Sequence, residues 1–192
     1  MDSISGKAPA SRIPYLAAAD APESVAKRLA ALPDLNVFKL MAHAHGTFDA
    51  WLRFGGSLLS DLTLNDQLRE LAILRVAYLT PGAEYEWVQH EAIAREIGVE
   101  PARIAAARYE AAAESDDALV LSFTEQVVLC ATPDDETFTA CAARFGSREI
   151  VELILVIGQY MMLGRLMATA RIDIDLPTHL DRLVPKPKGR RG

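Results

Sequence analysis

Residues 68–98 read LRELAILRVAYLTPGAEYEWVQHEAIAREIG, two helical runs hinged at Thr80-Pro81-Gly82. The first run is apolar on nearly every side, the pattern of a helix buried all round. At about 100° per residue, Ile73, Leu74 and Ala77 flank Glu70. A carboxylate on such a stripe is costly to desolvate unless it has a partner or a task. In the second run Pro81 is expected in the first helical turn and Gly98 at a left-handed C-cap. Ala83, Glu86 and His90 are spaced three and four apart and share one face. A buried helix with one acid thus leads, through a tight turn, into a helix start bearing an acid and an imidazole.

Glu70, Glu86 and His90 are the candidate catalytic residues. An imidazole passes protons near neutral pH, and a carboxylate on an apolar face has a raised pKa suited to the same work. Tyr85 and Trp87 beside them offer a hydroxyl and a flat wall. The structural alternative is that Glu70 pairs with a core arginine such as Arg75 and His90 is a hydrogen-bonded core residue. On the last long helix Gln159, Tyr160, Met161, Met162 and Arg165 lie in an apolar run. Tyr160 and Arg165 are substrate-binding candidates, Arg165 as a fork for a carboxylate; the alternative is a snorkelling or helix-paired arginine. Glu86 and His90, one turn apart, with Glu70 as a third group, form a possible ligand set. No second histidine sits at a fixed helical offset, since His43 and His45 lie two apart, so no metal is expected.

Outward from this centre, residues 13–16 read as extended and a short helix begins at Ala21-Pro22-Glu23. Pro33 ends it. Asn36 is a candidate cap for one helix over residues 37–59, with Phe38, Met41, Ala42, His45, Phe48, Leu52 and Leu59 along one side and a bend at Gly55-Gly56. Asn65 or Thr63 caps the buried helix. Further helices are expected over residues 101–113, 118–131 and 137–145, and Ser147 caps the last, over residues 148–171. Arg69-Glu70-Leu71 and Arg148-Glu149-Ile150 each open a long apolar helix, an echo that a duplicated helical unit would explain.

The 192 residues are expected to form one all-α domain over residues 13–178, between a disordered tail of residues 1–12 and a basic, disordered tail of residues 179–192. Hydrophobic residues make up 51% and charged residues 24%, which fits a compact protein with a substantial core. A net charge of −6 and no basic stripe interleaved with aromatics argue against a nucleic-acid partner. The start of the chain lacks the pattern of a secretory signal, and the longest apolar stretch, residues 153–164, is short for a bilayer, so a cytoplasmic protein without a membrane partner is expected. Cys130 and Cys141 fit no disulfide, redox or zinc spacing and are expected as buried thiols.

The central stretch, with LNVFKLMAH upstream and VELILVIGQYMMLGRLMATARID downstream, resembles the carboxymuconolactone decarboxylase family, which includes the alkylhydroperoxidase D branch. The resemblance implies an all-helical fold built on a helical hairpin repeat and a homo-oligomer, trimeric or hexameric. Peroxidase members carry a Cys-x-x-Cys pair four residues before a histidine, with a proton-relaying glutamate upstream. Here the histidine aligns with His90 and the glutamate with Glu70, while Ala83 and Glu86 stand where the cysteines would be. A disulfide cycle of that kind has no thiols to run on.

The remaining acid–imidazole set resembles the decarboxylase and hydrolase side, whose members act on small lactones and carboxylates. The expected function is cofactor-free proton transfer on a small organic acid or lactone, by decarboxylation or ring opening. The alternatives are a non-catalytic ligand-binding homologue and a hydroperoxide reductase using Cys130 or Cys141. Amides at the start of the second run favour an anionic substrate or an enolate; Glu86, in the same field, is expected to stay ionised and oppose it. Gln at position 70 or 90 is expected to leave the fold intact and stop turnover.

Overall fold

The structure, a computed structural model, describes residues 11–109 and 115–175. After a 3-10 turn at Ala18–Asp20 these residues form α1 (Glu23–Ala31), α2 (Asn36–Met41), α3 (His45–Ser60), α4 (Asp66–Leu79) and α5 (Glu84–Glu96). Then come α6 (Pro101–Ala106), α7 (Asp116–Cys130), α8 (Asp135–Arg144) and α9 (Ser147–Ala170). No strand occurs among the described residues. Residues 1–10, 110–114 and 176–192 lie outside them, and with them most of the tail expected over residues 1–12, all of that over residues 179–192 and the end of the helix expected over residues 101–113.

α4 is the axis. Every residue from Leu68 to Ala77 is buried, because the helix packs on α5, α7 and α9 together. Its apolar side chains have no solvent face to turn to. Asn65 starts it, its side chain accepting from the amides of Gln67 and Leu68, which satisfies two of the four free donors of a helix start.

The link from α4 to α5 is shaped by small residues. Gly82 is left-handed (φ +85°), and a Cβ there would lie 2.9 Å from the Ala168 side chain. Across the contact, a Cβ on Gly164 would lie 3.1 Å from Thr80 Cγ2. The turn and α9 therefore approach closely, which fixes where α5 begins. Pro81 lies in this turn and not in the first helical turn as expected; Ala83 is the N-cap. Gly98 is left-handed (φ +80°), as the sequence implies.

Several boundaries differ from the sequence reading. The helix expected over residues 37–59 is two helices, because Ala44 leaves the helical region (φ −86°, ψ 61°) and the adjacent His43 Nε2 donates to Pro14 O at 2.7 Å. His45 is consequently exposed. Asn36 is the first helical residue and caps nothing; its amide N–H donates to Asp175 Oδ2 at 2.7 Å. α6 stops at Ala106, where Arg75 Nη1 draws off the carbonyls of Ala107 and Tyr109. Gly146, not Ser147, is the N-cap of α9, its amide held by Glu149 at 2.9 Å. The echo between residues 69–71 and 148–150 is not one of role: Arg148 pairs with Glu152, one turn along its own helix, whereas Arg69 and Glu70 bond to each other inside the core.

α9 is long and apolar enough to cross a bilayer by length and composition, although its uninterrupted apolar stretch is shorter. Half of the apolar window is nevertheless buried within the molecule. It is the second core helix.

Candidate active site

The carboxylate of Glu70 is fully buried. Arg69 Nε donates to its Oε1 at 3.0 Å, and His90 Nδ1 donates to its Oε2 at 2.7 Å. An ionised carboxylate can only accept, so the proton of this bond sits on Nδ1. Arg69 is itself nearly inaccessible and spends Nη1 on Asp66 Oδ1 at 2.7 Å and on Leu59 O at 3.0 Å. The other side of His90 faces Glu86, with Nε2 3.5 Å from Oε2. The ring is wedged edge-on against Tyr160, centroids 4.6 Å apart. A chain of polar groups thus runs from exposed Asp66 through Arg69, Glu70 and His90 to Glu86.

Glu86 and His90 line a hollow of about 200 Å³ bounded by α2, α3, α5 and α9. Its walls include Phe38, Trp51, Leu52 and Leu163, with Gln89, Gln159, Tyr85 and Tyr160 as further polar contributors. Two buried oxygens on residues lining it, Glu86 Oε1 and Gln89 Oε1, accept no hydrogen bond among the described residues.

The charges set one another. Burial pushes the Glu70 carboxyl up, but the charge and hydrogen bond of His90, with Arg69, outweigh it and hold it below the ordinary carboxylate range. Burial pushes the His90 imidazole down, but Glu70 and then Glu86 outweigh that and raise it. Glu86 has no such compensation. Burial raises it to about 7, against the opposing charge of His90 and with the aid of Glu70's. The sequence reading expected an ionised Glu86 at the helix start; desolvation overrides the helix field, because the side chain is buried, its Oε1 accepts no hydrogen bond among the described residues, and the His90 charge that favours ionisation is opposed by that of Glu70. Burial and the Glu86 and Glu70 charges raise the Tyr160 hydroxyl well above its usual value.

Of the seven residues singled out from sequence, Glu70, Glu86 and His90 converge, and Tyr85 and Tyr160 join Glu86 and His90 at the hollow. Trp87 does not line it: its indole N–H donates to Glu91 at 2.7 Å, and Arg108 lies 4.0 Å over its ring. Arg165 is on the exposed side of α9, Nη1 donating to Met161 O at 2.8 Å, and reaches no site residue. Arg75 pairs with Glu125 and not with Glu70. Cys141 is buried, its thiol raised by burial to about 11, whereas Cys130, expected buried, is exposed. Among the described residues no group of three His, Cys, Asp or Glu is placed to hold a metal ion.

Sequence reasoning missed Arg69 and Asp175. Arg69 was discoverable from its i,i+3 spacing to Asp66 inside an apolar run. Asp175 was not, since only the path of the chain after α9 brings it here. Its Oδ2 accepts from the Tyr85 hydroxyl at 2.7 Å and from the Asn36 amide, and its carbonyl accepts from Gln89 Nε2 at 3.0 Å. One residue therefore ties α2 to two residues of the hollow wall. Asp175→Ala is expected to lower stability by about 1–2 kcal/mol, read by urea unfolding. An unchanged midpoint would mean that the tie carries no load.

Residues 46–125 match the model of the Carboxymuconolactone decarboxylase family. No curated protein matches the chain. Among solved structures it is similar to the alkylhydroperoxidase AhpD core of an uncharacterized peroxidase-related protein from Ralstonia eutropha JMP134, with TM-score 0.76 and 21% identity over 94% of this chain and 100% of that one. It is also similar to an uncharacterized peroxidase-related protein from Silicibacter sp. TM1040, with TM-score 0.73 and 19% identity over 93% of this chain and 98% of that one. Over residues 46–125 the chain is thus similar to the carboxymuconolactone decarboxylase family, and as a whole it takes the AhpD-like all-α fold.

Proposed function

We propose that the protein is a cytoplasmic, homo-oligomeric enzyme that moves protons on a small organic acid or lactone without a cofactor. The observation that carries this reading is Glu86, poised at about 7 on the wall of an apolar hollow and backed by the Glu70–His90 pair. A general acid or base works best when its pKa lies near the working pH. In a decarboxylation, carbon dioxide leaves without the bonding electrons, and the enolate left behind takes the Glu86 proton at carbon. His90, held by Glu70, then faces the Glu86 carboxylate with its second N–H and steadies the new charge, and a proton from solvent restores the acid. In a lactone opening the same groups handle the proton of the attacking water.

What weighs against a thiol route is the state of the cysteines. Cys141 is buried with a raised pKa, which disfavours the nucleophilic thiolate. Cys130 lies in a separate groove beside Arg75 and Glu125.

Wild-type, Glu86→Gln and His90→Gln proteins assayed against a panel of lactones and β-keto acids test the proposal. Each variant is expected to lose about 10²–10⁴-fold in kcat, and the inflection near neutral pH in the wild-type profile is expected to vanish with Glu86. Wild-type rates in both variants would remove these residues from the mechanism.

A further inference from the structure

Six side chains set the character of the hollow: Phe38, Trp51, Leu52, Ile93, Leu163 and Met167. No lysine or arginine lines it among the described residues. The nearest guanidinium in the polar chain, Arg69, is turned away and committed to Glu70, Asp66 and the Leu59 carbonyl. Arg165, the sequence-level candidate for holding a carboxylate, is on the far side of α9. His90 is the only cationic group facing the hollow among the described residues, and it stands between two carboxylates. With His90 protonated, Asp66, Arg69, Glu70 and His90 sum to zero, and ionisation of Glu86 makes the group negative. The Tyr160 hydroxyl at the same wall is made harder to ionise by Glu86 and Glu70 after burial itself, as a negative local potential requires. A ligand carboxylate entering here would be a second buried negative charge without a partner, whereas an apolar body gains by displacing water from these walls.

Building on the proton-transfer reading, we infer that the hollow takes an uncharged, largely apolar acyl compound, a lactone or similar ester, in preference to a free carboxylate. This favours ring opening over loss of carbon dioxide, because a β-keto acid would bring its anion against Glu86. The polar end of the ligand meets Glu86, Gln89 and Gln159, and the apolar remainder lies toward Trp51 and Leu52.

Two dyes of one scaffold separate charge from shape: neutral N-phenylnaphthylamine and its anionic counterpart, anilinonaphthalene sulfonate. At about pH 8 the neutral dye is expected to bind saturably, with a Kd at least about tenfold below that of the sulfonate. Glu86→Gln, which removes the wall's own negative charge, is expected to narrow that ratio. Gly55→Phe is expected to abolish binding, since Gly55 lines the hollow and an added Cβ there meets only Gln159 Nε2, at 3.7 Å. Should Gly55→Phe fail to fold, energy transfer from Trp51 to the neutral dye in Trp87→Phe locates the site independently. Equal or tighter binding of the sulfonate, no saturable binding of the neutral dye, an unchanged ratio in Glu86→Gln, binding that persists in folded Gly55→Phe, or no transfer from Trp51 would overturn the inference. A sulfonate preference would sink the ligand class and leave the proton-transfer reading standing. Wild-type turnover in Glu86→Gln and His90→Gln would do the reverse.

Discussion

Replacing Glu86 by Gln is expected to make the protein more stable above about pH 7, by roughly 2 kcal/mol, while removing its activity. In the unfolded chain a glutamate releases its proton near its ordinary value of 4.5; in the folded protein Glu86 holds it until about 7. Between those limits the folded state binds more protons than the unfolded state, so stability falls as pH rises. Below about 4.5 both states are protonated and the cost disappears. The full shift corresponds to on the order of 3 kcal/mol, and the amide of Gln, with no partner at the Oε1 position, returns part of it. Urea unfolding of both proteins at equal protomer concentration, at about pH 8 and about pH 4, reads the effect. The advantage of the variant should be present at the higher pH and gone at the lower. A variant less stable than wild type at the higher pH would mean that Glu86 is compensated in the fold and is not held as a strained acid. A stabilising substitution that ends turnover is the signature of a group kept for chemistry.

The part of this site that the sequence discloses is the part written within single helices. Glu70 stands out because α4 has no polar face on which a carboxylate belongs, and Glu86 and His90 are paired by i,i+4 spacing alone. The same arithmetic removes Arg165, which is five residues and about 140° around the helix from Tyr160. It does not separate Trp87 from Tyr85, each about 100° from Glu86 on opposite sides; Tyr85 lines the hollow and Trp87 turns to Glu91 and Arg108. The choice of Arg69 over Arg75 as partner to Glu70 rests on what α7 offers, since Arg75 turns to Glu125 there. The break between α2 and α3 is tertiary as well: nothing in residues 37–59 forbids one helix, and it is Pro14, far along the chain, that engages His43 at the corner. That break lets Phe38 and Trp51 come together, centroids 6.2 Å apart, as one wall of the hollow. The acid–imidazole set was therefore legible, and the shape and charge of the space in front of it were not.

Glu70→Gln is expected to cost about 3 kcal/mol, more than His90→Gln, because it leaves two buried cationic groups short of their counter-charge, whereas in His90→Gln Glu70 keeps Arg69 and Glu86 can hold its proton. The sequence alone suggested that either change would leave the fold untouched. Full burial of Glu70, and its bonds to Arg69 and His90, change that expectation for position 70. In His90→Gln the carboxylate keeps Arg69. In Glu70→Gln the Arg69 guanidinium keeps only Asp66 and the Leu59 carbonyl, and the imidazole loses its main support against burial. The pH dependence follows from the two directions. Glu70, held low, contributes stability above about 4.5 that is lost as pH falls through its folded value; His90, held high, contributes stability below about 6.5 that is lost as pH rises through its folded value. The pair is thus at full strength between those limits, and there a double-mutant cycle of Glu70→Gln and His90→Gln should show a coupling of about 2 kcal/mol. That coupling should shrink at both ends of the window. A coupling near zero at about pH 6 would mean that the 2.7 Å contact adds nothing to folding, and that Glu70 is kept in the core by Arg69 alone.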